Sequence, residues 1–167
     1  MTSLDRLLWQ AASVCLRYPV RDDLSLVRDI LPSFVDLALT SENLECHYVE
    51  TFDFTNRHSL YLTWHVDGDT RRRGGSLVTL KRAYAQSGLL LTDAELPDFL
   101  PAVLEYSART GDSQFLSAYR PAMENLHRAL QKAGTIYAVP VEAVIRSVPP
   151  GPPMEQQQPP LEMVGLR

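Results

Sequence analysis

Apolar residues recur at intervals of three and four positions along almost the whole chain, a spacing typical of amphipathic helices. One such stripe runs from Leu4 to Tyr18 and stops at Pro19, and another runs from Leu116 to Leu130 between Asp112 and Gly134. No segment alternates apolar and polar residues for long enough to predict a strand. The pattern therefore predicts an all-α fold, a single-domain bundle of about seven or eight helices.

Prolines, glycines and capping residues mark where these helices begin and end. Pro32 is a candidate break in the second stripe, and Pro121 is expected to kink the stripe after Leu116. Asp69 is a candidate N-cap for a helix that ends in a left-handed turn at Gly88. Further helices are expected at about 57–66, 96–109 and 141–146.

The composition divides the chain into a folded part and a tail. A chain of 167 residues with 45% hydrophobic residues can bury one sizeable core. Residues 148–167 hold six of the twelve prolines and a run of three glutamines, which can neither continue a helix nor supply much core. We therefore expect an all-helical domain over 1–147 and a disordered, proline-rich tail over 148–167.

Charge and cysteine content exclude several classes of partner. The net charge of −4 gives no general attraction to nucleic acid, so no nucleic acid is expected as a partner. No apolar run approaches 18 residues and no secretory signal is present, so we predict no membrane insertion and a cytoplasmic location. Cys15 and Cys46 form no CxxC pair and are interpreted as reduced core thiols.

The sequence shows no constellation for catalysis or metal binding. His58 and His65 stand seven residues apart, about 10 Å along a helix, which is too far for one ion without a third ligand. No nucleophile elbow or cysteine-protease signature occurs. Asp98 and Glu105 are equally far apart, too wide for an acid/base pair, and are interpreted as an exposed carboxylate rim. We expect no catalytic residue, no metal site and no enzymatic activity.

Three consecutive arginines begin the helix after Asp69. Arg71, Arg72 and Arg73 oppose the positive end of the helix dipole, a mild cost unless a negative group offsets it. That group could be a carboxylate of the same chain, a nucleotide phosphate or an acidic protein surface. Gly74 and Gly75 do not complete a phosphate loop, so nucleotide binding is only an alternative hypothesis.

A polar ridge lies beside an aromatic stripe in the middle of the chain. Asp53, Arg57 and Tyr61 stand four apart and would share one helix face if the helix continues through Asn56, next to Tyr48 and Phe52. Such a surface suits a groove for an amphipathic peptide helix. The competing interpretation is an ordinary exposed helix with an intrahelical pair.

Four segments in this order and spacing carry a family resemblance: Tyr48-Val-Glu-Thr-Phe-Asp53, Arg57 with Ser59-Leu-Tyr61, Gly68-Asp-Thr-Arg71 with Arg73-Gly74, and Glu95-Leu-Pro-Asp98 through Leu104-Glu105-Tyr106. They resemble the NarJ type of the TorD/DmsD/NarJ chaperones, assembly factors for molybdenum oxidoreductases. The resemblance implies a TorD-like helical fold without enzymatic activity and without a tightly bound cofactor. It implies binding to the N-terminal segment of the catalytic (alpha) subunit of nitrate reductase, which receives molybdopterin guanine dinucleotide.

The resemblance also suggests which residues form the client-peptide groove. They are Tyr48, Phe52, Asp53, Arg57, Tyr61, Asp98, Leu100, Pro101 and Glu105, with Arg71, Arg72 and Arg73 as a separate anion or partner contact. The acidic pair is expected to orient basic client residues. Phe99 stands where the family pattern has histidine, so no histidine contact is expected there.

Several features of the assembly remain open at this point. Proteins of molybdenum cofactor biosynthesis are further candidate partners, and the protein is expected to be a monomer or a weak dimer. Two other functions are alternatives to a nitrate reductase chaperone. One is a sibling chaperone for another molybdoenzyme with a twin-arginine signal, and the other is a nucleotide-binding protein that uses Arg71–Arg73.

Overall fold

A computed structural model describes residues 2–151 of the chain. Its elements, in chain order, are α1 Ser3–Cys15, α2 Arg21–Leu26, α3 Pro32–Thr40, α4 Leu44–Phe52, a 3-10 turn at Asn56–His58, α5 Leu62–Asp67, α6 Arg71–Gln86, α7 Leu100–Thr110, α8 Gln114–Ala118, α9 Arg120–Ala133 and α10 Ala138–Ser147. The all-α prediction is confirmed, since the described residues hold helices and a single isolated β-bridge.

Prolines account for much of the higher helix count, ten α-helices among residues 2–151. Pro32 occupies the first turn of α3 and Pro121 the first turn of α9, where the missing N–H costs no hydrogen bond. The stripe from Leu116 to Leu130 is consequently two helices with a junction at Tyr119. Gly88 adopts the predicted left-handed conformation just after α6, and Gly134, predicted only as the end of a helix, does the same after α9.

The first helix packs mainly against α7 and also contacts α10. Its buried side chains include Trp9, Ala12 and Ser13, and the indole N–H of Trp9 donates to Ser147 Oγ at 2.9 Å. Leu4 and Leu7 were expected in the core but are 67% and 53% exposed. The buried face of α1 therefore keeps Ala11 and Cys15 of the expected stripe but is rotated toward Trp9 and Ala12.

Two helix boundaries in the middle of the chain differ from the sequence prediction. α4 ends at Phe52, and a 3-10 turn followed by α5 replaces the helix expected at 57–66. Residues 96–99 precede α7 instead of belonging to it, because they pair with another segment. In that pairing Leu62 N–H donates to the Asp98 carbonyl at 3.0 Å and Leu100 N–H donates to the Leu60 carbonyl at 2.7 Å.

Only the beginning of the expected tail falls within the described residues. Val148 is 1% exposed in the core, and its carbonyl accepts a hydrogen bond from Arg120. Residues 152–167, to which most of the disorder prediction refers, lie outside the described part of the chain.

None of the helices between residues 2 and 151 combines the length and apolarity needed to cross a bilayer. Over the same range, no group of three or more His, Cys, Asp or Glu side chains is arranged to hold a metal ion. Cys15 is buried, whereas Cys46 is exposed and is not the core thiol that the sequence suggested.

Candidate functional site

A cleft of about 1030 Å³ opens between the end of α1, α4, the loop that follows α6, and one face of α7. Aromatic side chains contribute much of its wall. They are Tyr18, Tyr48, Phe52, Tyr61, Tyr84, Phe99 and Tyr106. Three large apolar side chains that line it remain open to solvent: Tyr18 at 56% exposed, Val20 at 53% and Leu90 at 93%. A concave surface with this much exposed apolar area is a candidate binding site.

The aromatic wall is built on α4. Tyr48 Oη donates to the Leu16 carbonyl at 3.1 Å, which ties α4 to the end of α1. The Tyr48 ring lies 4.8 Å from Phe52 and 5.7 Å from Tyr18, in tilted and edge-on geometries that aromatic pairs favour. Tyr137, the residue before α10, supports both Tyr48 and Phe52 from behind at 5.7 and 4.9 Å. These contacts hold the wall in one arrangement before any ligand binds.

One face of α7 forms the opposite side of the cleft. Ala102, Glu105, Tyr106 and Arg109 line it at the i, i+3, i+4, i+7 spacing of a single helix face, and Phe99 continues that face at the N-cap. The other face of α7 carries the buried residues Leu100, Val103, Leu104 and Ser107. Tyr106 belongs to both sets, since it lines the cleft and is only 5% exposed.

Charged groups of the cleft fall into two sets. Glu105 pairs with Arg17, which follows α1, and with Arg109 one turn further along α7, the latter at 2.7 Å. Glu95 accepts a hydrogen bond from Tyr61 Oη at 2.7 Å, and Asp53 lines the cleft just after α4. Burial raises the pKa of Tyr61, and the bond to Glu95 adds to that shift because it stabilises the protonated phenol.

The predicted groove residues divide into those that reach the cleft and those that do not. Tyr48, Phe52, Asp53, Tyr61 and Glu105 line it. Arg57 is exposed in the 3-10 turn outside it, because the helix that would have aligned it with Asp53 and Tyr61 ends at Phe52. Leu100 and Pro101 are buried on the core side of α7. These two side chains therefore cannot receive a peptide at the surface.

The prediction that Asp98 is an exposed rim carboxylate is wrong. Its side chain is 0% exposed and its Oδ2 accepts from the N–H of Thr63 at 3.1 Å and from Thr63 Oγ1 at 2.5 Å. Thr63 is in the first turn of α5, whose N-cap residue Tyr61 makes no side-chain capping bond. Asp98 supplies that cap from 35 positions further along the chain. Its role is to join two segments of the fold.

The three consecutive arginines have two different environments. Arg73 is half-buried, its Nε donates to Thr63 Oγ1 at 3.0 Å, and its guanidinium stands 6.0 Å from the Trp64 ring centroid. Thr63 therefore links Arg73 to Asp98, and Arg73 belongs to the internal network. Arg71 and Arg72 are exposed at the start of α6, whose N-cap position is Thr70, without a side-chain capping bond, and not Asp69. None of the three lines the cleft.

Sequence reasoning missed several residues of the cleft, among them Arg17, Tyr18, Glu95, Phe99, Tyr106 and Arg109. Tyr106 and Arg109 could have been found, because they share the helical face of Glu105. Arg17 gave no such signal, since it reaches Glu105 across 88 positions of sequence.

A family model described as nitrate reductase delta subunit matches residues 19–139, well over half of the chain and most of the cleft. The chain belongs to the nitrate reductase delta subunit family. The segments that carried the NarJ-type resemblance lie inside this match, so the predicted family membership is confirmed.

Two curated relatives extend this result. The chain is 35% identical over 156 residues to the nitrate reductase-like protein NarX of Mycobacterium tuberculosis H37Rv, covering 84% of this chain and 24% of that protein. It is 36% identical over 105 residues to the nitrate reductase molybdenum cofactor assembly chaperone NarJ of Escherichia coli K12, covering 61% of this chain and 44% of NarJ. The chain thus spans less than half the length of either relative.

A solved structure supports the fold of this family member. The crystal structure of a candidate redox enzyme maturation protein from Archaeoglobus fulgidus superposes with a TM-score of 0.66 at 20% identity, covering 84% of this chain and 91% of that chain. The predicted TorD-like helical fold is confirmed at this level.

Proposed function

We propose that this protein is a system-specific chaperone that binds the N-terminal segment of the catalytic subunit of a respiratory nitrate reductase in the cleft between α4 and α7. It keeps the apo-subunit able to accept molybdopterin guanine dinucleotide. Family membership and the likeness to NarJ, whose name describes such a chaperone, support the choice of client. Because the chain spans under half of NarJ, the role of that whole protein is carried over here as a proposal.

The observation that carries the proposal is the combination of a pre-formed aromatic wall with an exposed apolar rim. A cleft of about 1030 Å³ is at the upper end of small-molecule pockets, and it extends along most of α7. Peptide helices bind in such grooves by placing apolar anchors from one face against apolar walls. We infer that Tyr48, Phe52 and Tyr61 receive these anchors and that Leu90 closes over them.

The mechanism is binding without a chemical step. A chaperone shifts its client toward the cofactor-accepting conformer only by the difference in affinity for that conformer and for the mature one. Release follows when the matured subunit folds its N-terminal segment into its own structure. We further propose that the protein acts in the cytoplasm, as a monomer or weak dimer, holds no cofactor tightly, and meets proteins of molybdenum cofactor biosynthesis through the shared client.

Calorimetric titration with a peptide of the first fifteen residues of the nitrate reductase catalytic subunit tests this proposal. Saturable binding of this peptide, and none of a scrambled version, is expected. Leu90→Ala should weaken binding about tenfold, the effect of losing about 1.4 kcal/mol of apolar burial. Leu26→Ala is the matched control, because Leu26 is also highly exposed, at 83%, and does not line the cleft.

Two outcomes would contradict the proposal. One is no binding of the native peptide by correctly folded protein. The other is equal weakening by Leu90→Ala and Leu26→Ala, which would place the binding surface elsewhere. Binding of a twin-arginine signal peptide of another molybdoenzyme in preference to the nitrate reductase peptide would instead favour the sibling-chaperone alternative.

A further inference from the structure

The cleft has a direction that is set by α7. Its cleft-facing residues run from Phe99 at the N-cap to Arg109 in the last turn. Ten residue steps separate Phe99 from Arg109, which corresponds to about 15 Å along the helix axis. The two ends of this cleft-facing side of α7 carry opposite charge, as the ion pairs and hydrogen bonds around them show.

The end near Arg109 is cationic. Two guanidinium groups, from Arg17 and Arg109, share the single carboxylate of Glu105, which leaves one positive charge in excess. Their side chains are 43% and 59% exposed, so they remain open to solvent and to a ligand. A guanidinium has five N–H donors, and one carboxylate cannot satisfy the donors of both groups.

The end near Phe99 is anionic. The ring of Tyr61 lies 5.5 Å from that of Phe99, and its hydroxyl holds Glu95 beside the start of α7. Within residues 2–151, Glu95 forms no salt bridge, and neither does Asp53 on the α4 wall. The hydroxyl of Tyr61 is neutral, so its hydrogen bond does not cancel the negative charge of Glu95.

We propose that this charge order selects and orients the client peptide. The client binds as a helix antiparallel to α7, with an acidic residue of its first turn against Arg17 and Arg109 and a basic residue of its last turn against Glu95. Helices favour acidic residues in the first turn and basic residues in the last, so this arrangement also suits the client helix itself. The inference rests on the proposed function, since it assigns the specificity of the same cleft.

The first test compares two peptides by fluorescence anisotropy at low salt. One is the fifteen-residue peptide from the nitrate reductase catalytic subunit, and the other has its acidic and basic residues exchanged while its apolar positions are unchanged. The exchanged peptide should bind at least tenfold more weakly. Arg17→Gln and Arg109→Gln should each weaken binding of the native peptide about two- to fivefold, the range of partly exposed ion pairs.

Substitutions in the peptide then show whether these effects are direct. Removing the first-turn acidic residue should abolish the effect of Arg109→Gln, and removing the last-turn basic residue should abolish that of Glu95→Gln. Arg128→Gln is the matched control, because Arg128 is exposed on α9 outside the cleft and carries the same charge. Circular dichroism and melting temperature establish that each variant is folded.

A nitroxide label on either end of the peptide tests the orientation. A label at the peptide N-terminus should broaden the amide resonances of Arg109 and Thr110, and a label at its C-terminus should broaden that of Glu95. The reverse pattern, or native-peptide binding that is insensitive to charge order and to all three cleft variants, would overturn this inference and leave the chaperone proposal standing. Absence of any binding of the native peptide would overturn both.

Discussion

Replacement of Asp98 by alanine should destabilise the fold, because this buried carboxyl group is the N-terminal cap of α5. It accepts two hydrogen bonds from Thr63, and a bond to a carboxylate contributes about 1.5–3 kcal/mol. The other oxygen, Oδ1, is buried without a hydrogen-bond partner in the described structure, so removing it relieves a desolvation cost of about 1–3 kcal/mol. The net loss in the free energy of unfolding should be about 3 kcal/mol.

Thermal and urea unfolding measure this loss. For a domain of this size, 3 kcal/mol corresponds to a fall in melting temperature of about 6–12 °C. The urea midpoint should decrease by about 1–2 M with an unchanged slope. Asp98→Asn keeps the shape and one acceptor for Thr63, and it should lose about half as much.

Asp53→Ala provides the matched control for Asp98→Ala. It also removes one carboxyl group, but Asp53 is exposed, so its unfolding free energy should change by under about 0.5 kcal/mol. If Asp98→Ala unfolds within about 0.5 kcal/mol of the wild type, the capping role is wrong. If folded Asp98→Asn also binds the client peptide much more weakly than the wild type, Asp98 contributes to binding after all.

Three further predictions concern single groups in the described structure. Gly68→Ala should lower the free energy of unfolding, measured by urea titration, by about 1–3 kcal/mol, because Gly68 has φ 59° and ψ −147°, a region essentially restricted to glycine. The control Gly74→Ala should not destabilise the protein, because Gly74 is inside α6 and an added methyl group there would meet no other heavy atom within 4 Å. In native protein at pH 8, iodoacetamide should label the exposed Cys46 and not the buried Cys15, because burial raises the pKa of the Cys15 thiol to about 12. Mass spectrometry that finds Cys15 labelled first would contradict this. Burial lowers the pKa of His65, whose ring bonds the Ser59 carbonyl at 2.8 Å. Its contribution to stability is therefore present above its unfolded pKa of about 6.5 and is lost as the pH falls through the folded value. His65→Gln should reduce the slope of unfolding free energy against pH between 7 and 5, and an unchanged slope would refute this.

The helical class of the fold followed directly from the sequence, because the period of apolar residues is a local property. The ends of α6 and α9 were equally local, since Gly88 and Gly134 can adopt positive φ without the steric cost of a side chain. Proline positions indicated the junctions at Pro32 and Pro121. What they could not tell was whether each would kink one helix or separate two.

The candidate site was only partly predictable, because a sequence pattern reports contacts within one helix and not contacts between helices. Tyr48 and Phe52 lie on one face of a single helix, so their proximity follows from helix geometry. The spacing of Asp98 and Glu105 suggested a common exposed face, but Asp98 lies before α7 and caps α5 instead. Residues seven positions apart share a helix face only if one helix includes both of them.

The sequence by itself determined the helices, the family and the aromatic stripe, all of which depend on residues close together in the chain. Only the tertiary structure decided which polar groups are buried and which charges meet. Arg17 and Glu105 are 88 positions apart, and the burial of Asp98 depends on Thr63, 35 positions away. Such contacts depend on how the helices pack, and the burial of a carboxyl group is stable only where that packing brings donors to it.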